Sequence, residues 1–172
     1  MRDARVLHRF CAVVASFHLA ACGGERAGST LYFVQESPRP VLAPVTRGSA
    51  APTPTSVVAA LVEGPSPAER SQGLRPVIHA RVRALTVVVR GRTAVVDYSG
   101  AELGLTAAAS LVFSLTELPG IERVSIRLDG RSCCVHDHDG RVIDPVNREL
   151  FRGWSMEPCA LRTYPDAVSC RG

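Results

Sequence analysis

Two β-branched runs separated by a glycine-centred break constrain this chain more than any other feature. Val82 to Val89 reads VRALTVVV, Arg90-Gly91-Arg92 follows, and Thr93 to Tyr98 reads TAVVDY. Such runs fit a pleated surface, and a short break holding a glycine folds them into an antiparallel hairpin. In the second run Ala94, Val96 and Tyr98 share one face and Thr93, Val95 and Asp97 the other, so one face is set to be buried. The rest of the chain must supply the layer that covers it.

The remaining periodicities supply that layer. Leu31-Tyr32-Phe33-Val34 reads as a first strand, and Val41 to Thr46 as a second extended piece interrupted by Pro44. Pro52 and Pro54 make Gly48 to Pro54 a loop. Thr55 or Ser56 can then cap a helix carrying Val57, Val58, Leu61 and Val62, which stops at Gly64-Pro65. Ser66 to Gly73 is a polar connector. Thr106 can cap a second helix in which Leu111, Val112, Leu115 and Leu118 recur at helical spacing before Pro119-Gly120. Ile121 to Leu128 alternates as a strand and turns at Asp129-Gly130. The order β-α-β-β-α-β predicts an α+β fold: a small mixed sheet with two helices on one face. Past it, Cys134-Val135-His136 and Arg141-Val142-Ile143 flank a polar turn and predict a further hairpin, and a C-terminal tail pinned by cysteines follows.

The 172 residues are 46% hydrophobic and 21% charged, a globular balance. All 20 basic residues are arginine, which excludes Schiff-base lysines and lysine-dependent phosphate loops. The charges alternate in sign, and nothing points to nucleic acid.

The N-terminus has its own logic. Arg2, Arg5 and Arg9 precede Phe10 to Ala21, an apolar run shorter than the roughly 20 residues needed to span a bilayer. This is the pattern of an export signal. Leu19-Ala20-Ala21-Cys22-Gly23 resembles a bacterial lipobox, in which the thiol is acylated and becomes the new N-terminus. Residues 1–21 are therefore expected to be a lipoprotein signal peptide, Cys22 the lipid attachment, 22–29 a flexible tether, 30–131 the folded domain and 132–172 a Cys-rich extension. The expected location is outside the cytoplasmic membrane, anchored by acyl chains.

Four cysteines then remain, Cys133, Cys134, Cys159 and Cys170. An even number in an exported chain predicts two disulfides, each worth about 3 kcal/mol. Neighbouring cysteines seldom bond each other, so Cys133 and Cys134 are expected to reach separately to Cys159 and Cys170. A metal at Cys133, Cys134, His136 and His138 is the rival, but the spacing is not that of structural zinc sites. No cofactor is implied.

Several stretches carry a resemblance. Leu61-Val62-Glu63-Gly64-Pro65-Ser66 with Glu69, Gly73-Leu74-Arg75, Val95-Val96-Asp97-Tyr98-Ser99, and above all Ser114-Leu115-Thr116-Glu117-Leu118-Pro119-Gly120-Ile121-Glu122-Arg123-Val124 followed by Leu128-Asp129-Gly130 resemble the GerMN family of sporulation and spore germination domains. The resemblance implies an extracytoplasmic lipoprotein domain without established catalytic residues, similar in endospore formers to modules that build rings between two membranes. This chain has one copy, carries Pro76 where a small or polar residue is expected, and adds the Cys-rich extension.

No catalytic residue is expected. Asp97 reads as a turn cap, Glu63 and Glu69 as solvated loop acids, and His79 as a packed surface residue. No G-x-S-x-G or Cys–His constellation is present. Phe151, Trp154 and Tyr164 interleave with Arg148, Arg152 and Arg162, the composition of a binding surface or of the tail's own small core. The leading expectation is a non-enzymatic envelope lipoprotein that docks a protein partner or another copy of itself. The alternative is a sensor that uses the tail to take a metal or a wall fragment; an envelope hydrolase is third.

Overall fold

The computed structural model describes residues 28–36, 40–48 and 51–154. The signal segment, Cys22, most of the tether, Cys159, Tyr164, Arg162 and Cys170 lie outside them. The fold is α+β, as expected, but its strands form two sheets, not one.

The first sheet grows from an N-terminal hairpin. β1 (Gly28–Gln35) pairs antiparallel with β2 (Val41–Gly48) in unbroken register from Gly28↔Gly48 to Gln35↔Val41. Pro44 sits opposite Tyr32 within the strand without interrupting it, because β2 is an edge and proline's missing donor can face outward. β3 (Leu74–Arg75) adds two residues to the other side of β1 at Val34 and Gln35.

The predicted hairpin forms the second sheet. β4 (Val82–Arg90) pairs with β5 (Thr93–Gly100), closing through Gly91-Arg92, and β5 runs parallel to β6 (Arg123–Leu128). β6 turns at Asp129-Gly130, both at positive φ, into β7 (Arg131–Ser132). That backbone hand matches the twist of the flanking strands. Val146 then exchanges both backbone hydrogen bonds with Val124, at 2.8 and 2.9 Å, so the extension covers the rest of the β6 edge. β4 remains the open edge.

Helices lie between the sheets. α1 (Pro54–Glu63) is capped two residues before the nearer expected cap, Thr55: Thr53 is the N-cap, bonded reciprocally with Ser56, and Pro54 occupies the first helical position, where a missing N–H costs nothing. The polar connector contains a short helix, α2 (Pro67–Ser71), capped by Ser66 and Glu69. α3 (Leu105–Leu115) follows Gly104, not a Thr106 cap, and forms the β5–β6 crossover. Every residue from Ala107 to Leu115 is buried, so this is a core helix without a wet face. It packs on β1 and β6 while α1 packs on β1 and β4, which joins both sheets in one core around Leu31, Phe33, Leu61, Leu111, Leu115 and Ile126. None of the described helices is long and apolar enough to cross a membrane.

α3 also closes an open edge. Among the described residues, β1 has no strand on its β3 side beyond Val34. Ser110 Oγ donates to the Tyr32 carbonyl at 2.6 Å, and the Tyr32 N–H donates to Ser114 Oγ at 3.0 Å. Two serines one helical turn apart thus stand in for a missing strand, both fully buried.

Candidate functional site

The sequence-nominated residues fall into separate places. Asp97 is a cap, but of a different turn from the one expected: its Oδ1 accepts the Gly130 N–H at 3.0 Å, tying the β6–β7 turn to β5. Glu69 is not a solvated loop acid. It accepts from Arg47 Nε at 3.1 Å and Nη2 at 2.5 Å, and from the Ser66 N–H at 2.6 Å. Arg47 also donates to the Gly64 carbonyl at 2.9 Å, so one guanidinium joins β2, the end of α1 and the start of α2. The hydrogen bond from Arg47 holds the Glu69 carboxyl below the usual 4.5. A depressed carboxylate adds stability above its unfolded pKa and loses it as pH falls through the folded one. Replacing Arg47 with Met is therefore expected to flatten the loss of thermal stability on acidification below 4.5; a melting profile as steep as the parent's would refute this role. His79 Nδ1 accepts the Arg81 N–H at 3.1 Å and shapes the entry to β4.

His136 and His138 do not share a strand face. His136 pairs with Val142, while His138 is at the tip of a turn held by Asp137 Oδ1, which accepts from the Asp139 and Arg141 N–H groups at 2.9 and 2.8 Å. Both imidazoles are exposed. Among the described residues no three His, Cys, Asp or Glu side chains converge as metal ligands would.

The described part of the tail is spent on packing. Phe151 is fully buried, edge-on to Trp154 at 6.0 Å, and the Trp154 carbonyl accepts the Leu42 N–H at 2.7 Å, covering part of β2. Arg148 stacks over Phe113 at 5.2 Å and Tyr32 at 5.9 Å. It donates to Thr116 Oγ1 and Glu117 Oε1 at 2.5 Å and to the Phe113 carbonyl at 2.8 Å, which fastens the tail to the end of α3. Tyr32 donates to the same Glu117 at 2.9 Å, and burial with this acceptor pushes its hydroxyl up to about 12. Arg152 pairs with Glu149 in solvent.

One correction concerns the cysteines. Cys133 and Cys134 are not directed separately to distant partners; their sulfurs stand 2.05 Å apart, at bonding distance. Cys134 adopts φ 78, which turns its side chain back beside its neighbour's. Trypsin should release Ser132–Arg141 as a peptide carrying both cysteines and no other. Under non-reducing conditions it is expected unlinked and lighter by two hydrogens than after reduction. Finding it crosslinked to the Cys159 or Cys170 peptide would restore the longer bridges.

Among the described residues β4 is an edge strand whose outer side is exposed and unpaired. Its register with β5 shifts between Arg83 and Thr86, and beyond that Val88 and Val89 are 53% and 45% exposed between Thr86 and Arg90. Among the described residues it has a strand on one side only.

The model of the Germane family, described as sporulation and spore germination, matches residues 30–133. The chain belongs to that family. The match spans both sheets and helices α1 to α3 and ends at Cys133. Solved structures share the fold. The tandem GerMN domains of the sporulation protein GerM from Bacillus subtilis align at 22% identity and TM-score 0.58, over 70% of this chain and 45% of that one. The first GerMN domain of the same protein aligns at 19% and 0.51, over 71% and 98%. This chain thus spans less than half the tandem protein. No curated protein matches it.

Proposed function

We propose that this Germane-family protein is a non-enzymatic envelope lipoprotein, anchored through Cys22, whose domain docks a protein partner by strand addition to β4. The observation that carries the reading is the asymmetry of the edges. Among the described residues, α3 serines cover β1 beyond β3, the Trp154 carbonyl covers part of β2, and β7 with Val146 covers β6, while nothing covers the outer side of β4, where Val88 and Val89 are exposed. Exposed edges are ordinarily blunted, and a long one left open is a template for another strand. Arg81, Arg83 and Arg90 along it deter indiscriminate pairing and favour an acidic partner segment. Three of the polar side chains that chemistry could use are occupied as caps and clasps: Asp97, Glu69 and His79 each hold a backbone group.

The test places a photocrosslinking side chain at Val88 of the full-length protein in membranes of the native host. An adduct is expected there and not at Val62, which is also exposed, on α1. Equal adducts at both positions, or none at Val88, would refute docking on β4. Anchoring is tested separately. Cys22→Ser is expected to move nearly all the protein from the membrane to the soluble fraction, since two or more acyl chains are needed for stable attachment. Retention in the membrane would remove the lipoprotein part of the reading.

A further inference from the structure

Tyr98 shares the inward face of β5 with Ala94 and Val96, yet its hydroxyl has a more specific position. The ring is buried, and the oxygen lies 2.9 Å from Cys134 Sγ and 3.4 Å from Cys133 Sγ. The Leu103 N–H donates to that oxygen at 2.8 Å. Bonded sulfurs carry no hydrogen, so the phenol is the donor in the contact with Cys134. The amide of Leu103 fixes the oxygen's lone pair and leaves its one proton aimed at sulfur. Burial raises the hydroxyl's pKa, which keeps that proton in place.

The two sulfurs are not equivalent. Cys134 is buried, whereas Cys133 is half-buried and lines an open cleft of about 450 Å³ with Leu128, Asp129, Arg131 and Ser132. A nucleophile from solvent therefore meets Cys133 first. Cys134, behind it, has the phenol to receive charge.

We propose that the Cys133–Cys134 pair is a thiol-exchange site, opened by a dithiol reductant that attacks Cys133 and expels Cys134 toward the Tyr98 hydroxyl. One thiolate of the reductant bonds to Cys133 Sγ as the Cys133–Cys134 bond breaks, and the electron pair leaves on Cys134. Thiolate departure is faster when the leaving sulfur's charge is stabilised, which a positioned O–H supplies. The reductant's second thiolate then attacks its own sulfur in the mixed disulfide, and Cys133 leaves. The two protons of the dithiol end on the two cysteines; the protein pair is reduced and the dithiol becomes a disulfide. The site needs nothing from β4 docking and stands apart from it. Its position is functional in one further sense: the backbone just beyond it carries the clasp, with the Cys133 N–H on the Ile126 carbonyl at 3.1 Å and the Ile143 N–H on the Val135 carbonyl at 2.8 Å.

The test uses the full-length protein, oxidised, in native buffer. Excess glutathione is added, the reaction is quenched with acid, and the tryptic peptide Ser132–Arg141 is fragmented. The expected adduct is on Cys133 with Cys134 free. Dithiothreitol is expected to reduce the same peptide at a rate independent of sub-denaturing urea, and Tyr98→Phe to slow it about tenfold, the loss of one hydrogen bond to a charged group. An adduct on Cys134, reduction that follows global unfolding, or an unchanged rate in a folded Y98F variant would each overturn the proposal. If Y98F does not fold, the adduct's position in the parent protein and the urea independence decide.

Discussion

Gly100→Ala is expected to destabilise the domain by about 2–4 kcal/mol, a large fraction of the roughly 5–15 kcal/mol that holds a domain folded. Gly100 ends β5 opposite Val82 with φ +100, a conformation that side-chain-bearing residues seldom adopt. A methyl there would collide with the Arg81 carbonyl oxygen. That oxygen belongs to backbone that cannot rotate away: the Val82 N–H is bonded to the His79 carbonyl at 2.9 Å, and Val82 and Arg83 are already in register with Gly100 and Ser99. The start of β4 must move, and with it the strand that forms the open edge. Gly91→Ala separates the two causes. Gly91 has φ +59 but nothing within 4 Å of the added carbon, so its cost is backbone alone, about 1 kcal/mol. Urea midpoints at constant m-value measure both. Equal losses in the two variants would mean that the Arg81 carbonyl yields easily and the contact does not matter.

The parts legible from sequence were those whose signal lies within one segment. The β4–β5 hairpin followed from two β-branched runs and one glycine, and α3 from apolar spacing ended by Pro119-Gly120. The misplacements have local causes. Pro54 reads as a helix breaker in composition but is a helix starter at the first position, where its N–H would have no partner anyway. Ser66 and Glu69 make a capping box, yet the helix it starts has five residues and no apolar periodicity to reveal it. The β-rich run Leu31 to Val34 marks a strand but carries no information on which sheet receives it, so one sheet was expected and two formed.

The candidate sites were less legible, because each depends on partners distant in sequence. Arg47 and Glu69 are two ordinary surface residues until the fold brings β2 to α2. Arg148 interleaves in sequence with the tail's aromatics, but the rings it stacks on are Tyr32 and Phe113, not those of its own tail. Tyr98 carries an in-facing phenol that sequence assigns to the core on alternation alone; its hydroxyl acquires a role only because β7 returns the two cysteines beside it. Steric reasoning about neighbouring cysteines assumed ordinary backbone, and Cys134 is one of only two non-glycine residues at positive φ among those described.

The serines of α3 offer the sharpest test of how edges are closed. They lie four residues apart in the buried stretch Ala107 to Leu115, which is otherwise apolar, a pattern that a buried helix keeps only when the hydroxyls have work. Replacing both Ser110 and Ser114 with Ala would strip partners from the Tyr32 carbonyl and N–H, which face buried side chains and have no strand beside them. Each orphaned group costs about 1–3 kcal/mol, partly offset by roughly 0.5 kcal/mol of helix propensity per alanine, so the double variant is expected to lose about 2–4 kcal/mol. The single variants should each lose about half, with coupling between them because both bonds hold one peptide segment. A second consequence distinguishes this from simple cavity formation. With its partners gone, β1 has an unsatisfied edge that can recruit a strand from another molecule, so the double variant is expected to self-associate, by sedimentation, at concentrations where the parent and a Leu111→Ala core variant do not. A double variant as stable as its parent would mean that water or a shifted β3 reaches Tyr32, and that the helix is not what leaves β4 as the open edge.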